Sequence, residues 1–127
     1  MNLETTSNLA VAKPGAFERV IAGLITHAGD VLDRLMWASG ATVLHAEPPL
    51  RWFWERFQFS PEMREREGLP EITEEIKRKI LGLNYLRMHG LDVEALAKSI
   101  EGDEFAVKRA KGKPEPYATT YSKGFAE

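Results

Sequence analysis

The 127-residue sequence contains no cysteine, which excludes disulfide bonds, thiolate nucleophiles and cysteine metal ligands. It also contains no apolar run near the roughly 20 residues that a membrane-spanning helix needs. Residues 1–15 lack the basic start and the apolar core of a secretory signal peptide. These absences predict a cytoplasmic protein with no membrane partner.

Neither sign of charge dominates, because 17 basic residues stand against 19 acidic residues and leave a net charge of −2. Such a balance gives no electrostatic reason to expect nucleic acid or an anionic membrane as a partner. Apolar residues make up 43% of the chain and charged residues 28%, which is typical of a folded globular protein. We therefore expect at most one domain with a packed core.

Most of the local patterns in the sequence indicate helices. Pro14 is placed to begin a helix, and apolar residues follow at amphipathic spacing until Gly29. Ser60, Thr73 and Asp92 each stand where an N-cap residue is expected. Five helices are predicted, beginning near residues 14, 48, 61, 74 and 93.

The two ends of the chain differ from this helical middle because they are polar and aperiodic. Residues 1–13 are predicted to form a flexible N-terminal arm, and residues 103–127 a polar C-terminal arm. The structured segment is expected to span residues 14–102.

The run Leu35–Ser39 is short and apolar without alternation, which is typical of a strand buried on both faces. A lone buried strand leaves its backbone N–H and C=O groups without partners, at a cost of about 1–3 kcal/mol for each group. Either the strand prediction is wrong or its neighbours come from another chain. The fold class predicted is mainly α with one or two short strands.

Residues 79–92, KILGLNYLRMHGLD, match the pattern K-I-L-x-x-N-x-x-R-x-x-G-[LI]-D. This pattern resembles the last helix of the metal-dependent amidohydrolase superfamily, in the branch of TIM-barrel hydrolases and decarboxylases. Upstream, Asp33–Ser39 matches all but the last position of D-R-[IL]-[LM]-[WF]-[GA]-[ST]-D, which resembles the last barrel strand of that family. The resemblance covers about residues 15–100. It implies the last βα unit and C-terminal helices of an amidohydrolase-like (β/α)8 barrel, completed by a partner chain.

The unmatched position of the strand pattern is Gly40, where the family has the aspartate that binds the metal and moves a proton of the attacking water. Glycine offers no oxygen to a metal and no base to a water. The three histidines, His27, His45 and His89, show no metal-ligand spacing. The sequence thus predicts no metal site and no cofactor in this chain. The resemblance assigns a divalent metal, zinc, manganese or iron, to the partner subunit.

His45 follows the expected carboxyl end of the strand, the face on which barrel active sites are built. It is the candidate catalytic residue, with a structural loop histidine as the alternative. Ser39 and Gly40 are expected to flank the substrate pocket, or else only to permit close packing. Trp52 is the candidate aromatic wall of that pocket, or else a core or interface residue. Asn84 is expected to bond neighbouring loop backbone rather than a ligand.

Two functional hypotheses remain open. The first is a small, non-metal-binding subunit of a heteromeric amidohydrolase-like enzyme, which completes the barrel of a larger subunit and lines part of its pocket. The resemblance implies metal-assisted hydrolysis or non-oxidative decarboxylation of a small carboxylate substrate, aromatic or not. In that case the isolated chain should be insoluble or loosely packed. The second is a non-catalytic helical interaction domain or a degenerate enzyme fragment, whose aromatic residues form an ordinary core.

Overall fold

The computed structural model describes residues 1, 3, 6–38 and 47–112. These residues are mainly helical, and their only β structure is a single bridge at Met36, so the mainly α prediction is confirmed. The chain divides into two compact units, residues 1–85 (unit 1) and residues 86–127 (unit 2). The predicted bounds of the structured segment, residues 14–102, stay a prediction.

Unit 1 contains most of the described helices. They are α1 (Leu9–Ala12), α2 (Pro14–Ala28), α3 (Glu47–Arg56), α4 (Pro61–Glu67) and α5 (Glu74–Arg78). A π-helical turn, Lys79–Leu83, continues α5 and leads into α6 (Asn84–Met88), and Thr6–Asn8 and Val31–Asp33 form short 3-10 turns.

The helix starts follow the N-cap signals of the sequence. The Ser60 hydroxyl accepts a hydrogen bond from the Met63 N–H at 3.2 Å, and the Thr73 hydroxyl accepts one from the Ile76 N–H at 3.3 Å. Each bond satisfies a backbone donor that has no partner within its helix. Helix α4 ends at Gly68, which adopts the left-handed conformation with φ 65° and ψ 33°.

Aromatic rings form the centre of the core of unit 1. Phe17 on α2 is fully buried, and its ring lies 5.2 Å from that of Phe57 and 6.2 Å from that of Phe53. Of the two tryptophans on α3, Trp52 faces this aromatic core and Trp54 does not. Trp52 packs edge-on against Phe17 at 5.9 Å, whereas Trp54 is 38% exposed. Contact with the Phe17 ring, and not the spacing of residues along α3 alone, therefore determines which tryptophan faces the core.

Residues 1–13 were expected to be an arm, but the described part of this stretch packs into unit 1. Leu3, Ser7 and Ala10 are buried, and Ser7 and Ala10 lie in the 3-10 turn and in α1. The spacing of apolar residues does not predict their burial, because the buried positions are few and one of them is polar. Their contacts come from segments distant in sequence.

The expected strand Leu35–Ser39 is described as far as Ala38, and it finds its backbone partners within the same chain. The Met36 N–H donates to the Met1 carbonyl at 2.8 Å, and the Leu3 N–H donates to the Met36 carbonyl at 2.9 Å. The Trp37 N–H donates to the Ile80 carbonyl at 2.8 Å. The sequence left open whether the strand prediction is wrong or its partners come from another chain. The N-terminal residues and the π-helical turn of this chain supply the partners of Met36 and Trp37.

Unit 2 is described over residues 86–112 and contains α7 (Val93–Ser99) and α8 (Glu104–Ala110). Asp92 caps α7 as predicted, because its carboxylate accepts the Glu94 and Ala95 N–H groups at 2.9 and 3.1 Å. Helix α8 falls in the stretch expected to be a polar arm, and residues 113–127 lie outside the described residues. In the described ranges of both units, no helix combines the length and the apolarity needed to cross a membrane.

Candidate functional site

Three of the four residues predicted to form the catalytic pocket lie outside the described residues. They are Ser39, Gly40 and His45, and their roles stay predictions. The fourth, Trp52, is half-buried on α3, and its ring lies 5.9 Å from that of Phe17 and 5.8 Å from that of Phe57. This packing anchors Trp52 to the aromatic core, and its part in a substrate pocket also stays a prediction.

The two segments that carry the family pattern meet in unit 1, and we call their contact the motif junction (Leu32–Trp37 against Lys79–Asn84). Asn84 is its centre and is only 4% exposed. Its side-chain Nδ2 donates to the Leu32 carbonyl and to the Leu35 carbonyl, each at 2.8 Å. One amide group thus satisfies two backbone acceptors of the strand segment. The prediction that Asn84 bonds neighbouring backbone is confirmed.

The π-helical turn completes this junction. The Asn84 backbone N–H bonds the Lys79 carbonyl, five residues back, rather than the Ile80 carbonyl four residues back. The Ile80 carbonyl accepts the Trp37 N–H instead. A π turn is less stable than a continuous α-helix and is often found at functional positions. Here the π turn leaves the Ile80 carbonyl available to accept the hydrogen bond from Trp37 in the neighbouring segment.

An ion pair links the same two segments at the edge of the junction. The Lys79 ammonium lies 3.1 Å from the Asp33 carboxylate and 3.5 Å from that of Glu75. The hydrogen bond and the negative charge of Asp33 raise the pKa of Lys79 above its ordinary value of 10.5, and Glu75 adds to the effect. Lys79 and Asp33 are both positions of the family pattern, so this pair ties one motif to the other.

An open groove of about 380 Å³ lies on another side of unit 1, between the end of α3 and the start of α5. Lys77 is buried in its wall and donates through Nζ to the Trp54 carbonyl at 2.9 Å. Burial lowers the pKa of Lys77 below 10.5. A cation at the last turn of α3 also suits the negative end of the helix dipole.

The other polar groups of this groove are engaged with the protein. Glu74 pairs with Arg78 at 2.6 Å, and the Arg78 guanidinium lies 5.7 Å from the centre of the Trp54 ring. Gln58 bonds both backbone groups of Ile72, donating to its carbonyl at 2.6 Å and accepting from its N–H at 3.2 Å. These contacts hold the walls of the groove together.

Within the described ranges, no three histidine, cysteine, aspartate or glutamate side chains come together as a metal-binding group. His27 lies at the end of α2, where its Nδ1 is 2.8 Å from the Gly23 carbonyl and 2.9 Å from the Thr26 hydroxyl. His27 thus contacts polar groups of its own helix.

Sequence reasoning missed the buried Lys77 and the backbone clamp of Gln58. A signal existed for Lys77, because residues 77, 80 and 84 share the spacing i, i+3, i+7 and all three are buried. No signal pointed to Gln58, whose partner Ile72 lies in a nonhelical stretch.

Comparison of the chain with protein-family models, with curated proteins and with solved structures gave no match. The resemblance to amidohydrolases therefore depends on the two motifs alone.

Proposed function

We propose that this chain is the small, non-metal-binding subunit of a heteromeric, cytoplasmic amidohydrolase-like enzyme. The observation that carries the proposal is the motif junction. Asn84 and Lys79 are fixed positions of the helix motif, and they bond Leu35 and Asp33 of the strand motif. Two sequence patterns that resemble one family thus also form one structural unit, which is the relation expected of the last strand and helix of a barrel.

In this assembly the larger subunit supplies most of the barrel and a divalent metal, zinc, manganese or iron. When bound, that metal supplies Lewis-acid activation of a water or of the carboxylate substrate. This chain contributes the strand segment, and its pocket residues are Ser39, Gly40, His45 and Trp52. The reaction is hydrolysis or non-oxidative decarboxylation of a small carboxylate compound.

Unit 2 supports a heteromeric arrangement. None of the side chains of residues 86–112 whose burial the structure describes is buried, and seven large apolar residues among them are more than a third exposed. Apolar surface of this kind is often found where a protein binds another chain. A larger subunit that covers α7 or α8 would remove this surface from water.

The test is purification of the tagged full chain from its native cells, with mass spectrometry, metal analysis and assays on carboxylate substrates. We expect a co-purifying barrel protein that lacks a last strand, with bound metal and activity only in the complex. Leu96→Asp on α7 should weaken this complex. Ala97→Asp is the matched control, because it adds the same charge one position along the same exposed helix. A monomer in native extract, with no barrel protein attached, would contradict the proposal.

The second candidate is a non-catalytic helical interaction domain. It is favoured by unit 1, where the strand segment finds backbone partners within the chain and the aromatic rings form their own core. The two candidates differ in what Gly40→Asp does. In the enzyme subunit this change restores the carboxylate of the family pattern, so the assembled complex should bind its metal more tightly than the unmodified complex does. In an interaction domain no metal binding should follow.

A further inference from the structure

Lys77 is the one charged side chain that is buried in the part of the chain that the structure describes. It is 7% exposed, and its Nζ donates to the Trp54 carbonyl at 2.9 Å. A carbonyl oxygen accepts an N–H from a neutral amine as well as from an ammonium group, so this hydrogen bond does not require the charge. The bond therefore holds Nζ in place in either protonation state.

Two carboxylates line the groove together with Lys77, and each has an arginine partner. The Glu71 carboxylate lies 3.8 Å from the Arg64 guanidinium, and the Glu74 carboxylate lies 2.6 Å from that of Arg78. These pairs reduce the influence of both carboxylates on Lys77, and burial lowers its pKa. A lowered pKa increases the share of the neutral amine, which is the nucleophilic form of lysine.

The groove has room for a small reactant beside this amine. Its volume of about 380 Å³ falls in the range of small-molecule sites, about 300–1,000 Å³. Trp54 and Ile72 supply apolar lining, and Trp54 is 38% exposed. An aromatic ligand can pack against an indole ring of this kind. The groove thus combines a buried amine with a surface suited to a ring.

We propose that Lys77 is a nucleophile that binds a small, uncharged aromatic aldehyde in this groove as a Schiff base. The amine nitrogen attacks the carbonyl carbon, and the π electron pair of the C=O bond moves to the oxygen. The nitrogen gives one proton to this oxygen through solvent, and the resulting carbinolamine takes up a second proton and loses water. The products are a protonated imine and one water molecule, so no oxidant or reductant is needed.

The Trp54 carbonyl suits the product as well as the free lysine. A protonated imine keeps one N–H on its nitrogen, and this N–H can donate to the Trp54 carbonyl as Nζ does now. The existing hydrogen bond is therefore compatible with every step of the reaction. The site lies within unit 1 and does not depend on the proposed enzyme complex.

The charges of the groove favour an uncharged aldehyde. Glu71 and Glu74 are among its lining residues, whereas their partners Arg64 and Arg78 are not. An aldehyde with its own carboxylate would meet these like charges before it met the arginines, and like charges in contact are unfavourable. Benzaldehyde is thus a suitable probe, and 4-formylbenzoate is its charged counterpart.

The test treats the full chain with benzaldehyde and cyanoborohydride at pH 8. Cyanoborohydride reduces the imine to a stable benzylamine, and mass spectrometry of peptides measures the rate at each lysine. We expect Lys77 to react at least about tenfold faster than the exposed Lys98, because more of it is the neutral amine. The rate at Lys77 should saturate with benzaldehyde, since the aldehyde binds before it reacts, whereas the rate at Lys98 should rise linearly.

Lys79 is an internal control from the same helical stretch. Asp33 and Glu75 raise its pKa, so Lys79 should react more slowly than Lys98. In concentrated urea the rates at the three lysines should become similar, because unfolding removes both the burial and the ion pairs. Equal rates at Lys77 and Lys98 in the folded chain, or a rate at Lys77 that does not saturate, would overturn the site.

The charged probe tests the class of aldehyde. We expect 4-formylbenzoate to react at Lys77 at least about fivefold more slowly than benzaldehyde. Glu71→Gln should reduce this difference, whereas Glu67→Gln, outside the groove lining, should leave it unchanged. Equal rates with both probes would overturn the preference for an uncharged aldehyde. No second protein takes part, so these outcomes are independent of the co-purification that tests the enzyme proposal.

Discussion

Unit 1 and unit 2 are both helical, yet they are stabilised in different ways. Every buried residue of the described ranges belongs to unit 1, including a fully buried cluster around Phe17, Phe53 and Phe57. The described part of unit 2 has capped helices and no buried side chain. Helix signals in a sequence therefore predict both units equally well, whereas burial distinguishes them.

This difference has a thermodynamic consequence. Helices α7 and α8 each span seven residues, and isolated helices shorter than about 12–15 residues are marginal in water. Their stabilising contacts are local, such as the Asp92 cap and the Lys108–Glu104 ion pair at 3.3 Å. Unit 1 should unfold cooperatively, and unit 2 should open at a lower free energy.

The largest expected contrast comes from truncating one phenylalanine in each unit. Phe17→Ala removes a ring that contacts several other aromatic side chains, and it should lower the free energy of unfolding by about 3–5 kcal/mol. Phe105→Ala is the matched change in unit 2, where the side chain is 57% exposed, and should stay within about 0.5 kcal/mol. Urea denaturation of both variants measures the contrast. Equal losses would show that Phe105 is also part of a core.

Removal of Asn84 should have the next largest effect. Asn84→Ala leaves the Leu32 and Leu35 carbonyls without their donors, at an expected cost of about 2–3 kcal/mol. Asn8→Ala is a suitable control, because Asn8 stands at the start of α1 without a side-chain capping bond. Denaturation curves would give both values, and a cost below that of Asn8→Ala would remove the motif junction as a stabilising element.

The motif junction also shows which features of the structure could be predicted from the sequence. The role of Asn84 was predictable, because a polar residue within an apolar stripe needs a buried partner and the family pattern had singled out the same position. The N-caps Ser60, Thr73 and Asp92 were predictable because capping is local chemistry. The predicted beginning of α2 at Pro14 is confirmed for the same reason.

The other nonlocal contacts were not predictable. The bond between Trp37 and Ile80 needs a π turn, and the alternative of a regular α-helix fits the same residues. The packing of Leu3 and Ser7 depends on a segment about thirty residues away. The predicted pocket residues Ser39, Gly40 and His45 stay predictions, because they came from the resemblance and lie outside the described residues.

The N-caps offer a comparison of local and global stability. Thr73→Ala in unit 1 and Asp92→Ala in unit 2 each remove a side-chain cap, worth about 1 kcal/mol. We expect Thr73→Ala to lower the global free energy of unfolding, because α5 lies against the core through Lys77 and Ile76. Asp92→Ala should instead speed amide exchange in α7 and leave the global value unchanged. A global loss in both variants would mean that the two units unfold together.

The smallest expected effect is a pH dependence of the stability of unit 1. Burial lowers the folded-state pKa of Lys77, so the unfolded chain binds more protons between that lowered pKa and 10.5. The contribution of Lys77 to stability should therefore rise with pH across this window and become constant above it. The raised pKa of Lys79 works in the opposite direction, because its stabilisation is complete below 10.5 and is lost as pH rises through the folded-state pKa.

Thermal unfolding between pH 8 and pH 11 can separate these two lysines. Lys77→Met should abolish the rise, although it also leaves the Trp54 carbonyl without its donor. Lys79→Met should abolish the fall, because the pair with Asp33 is gone. Lys98→Met on the exposed α7 is the control from unit 2, and we expect its curve to follow that of the unmodified chain, since Lys98 is exposed. If Lys98→Met changed the curve as Lys77→Met does, charge burial would no longer distinguish unit 1 from unit 2.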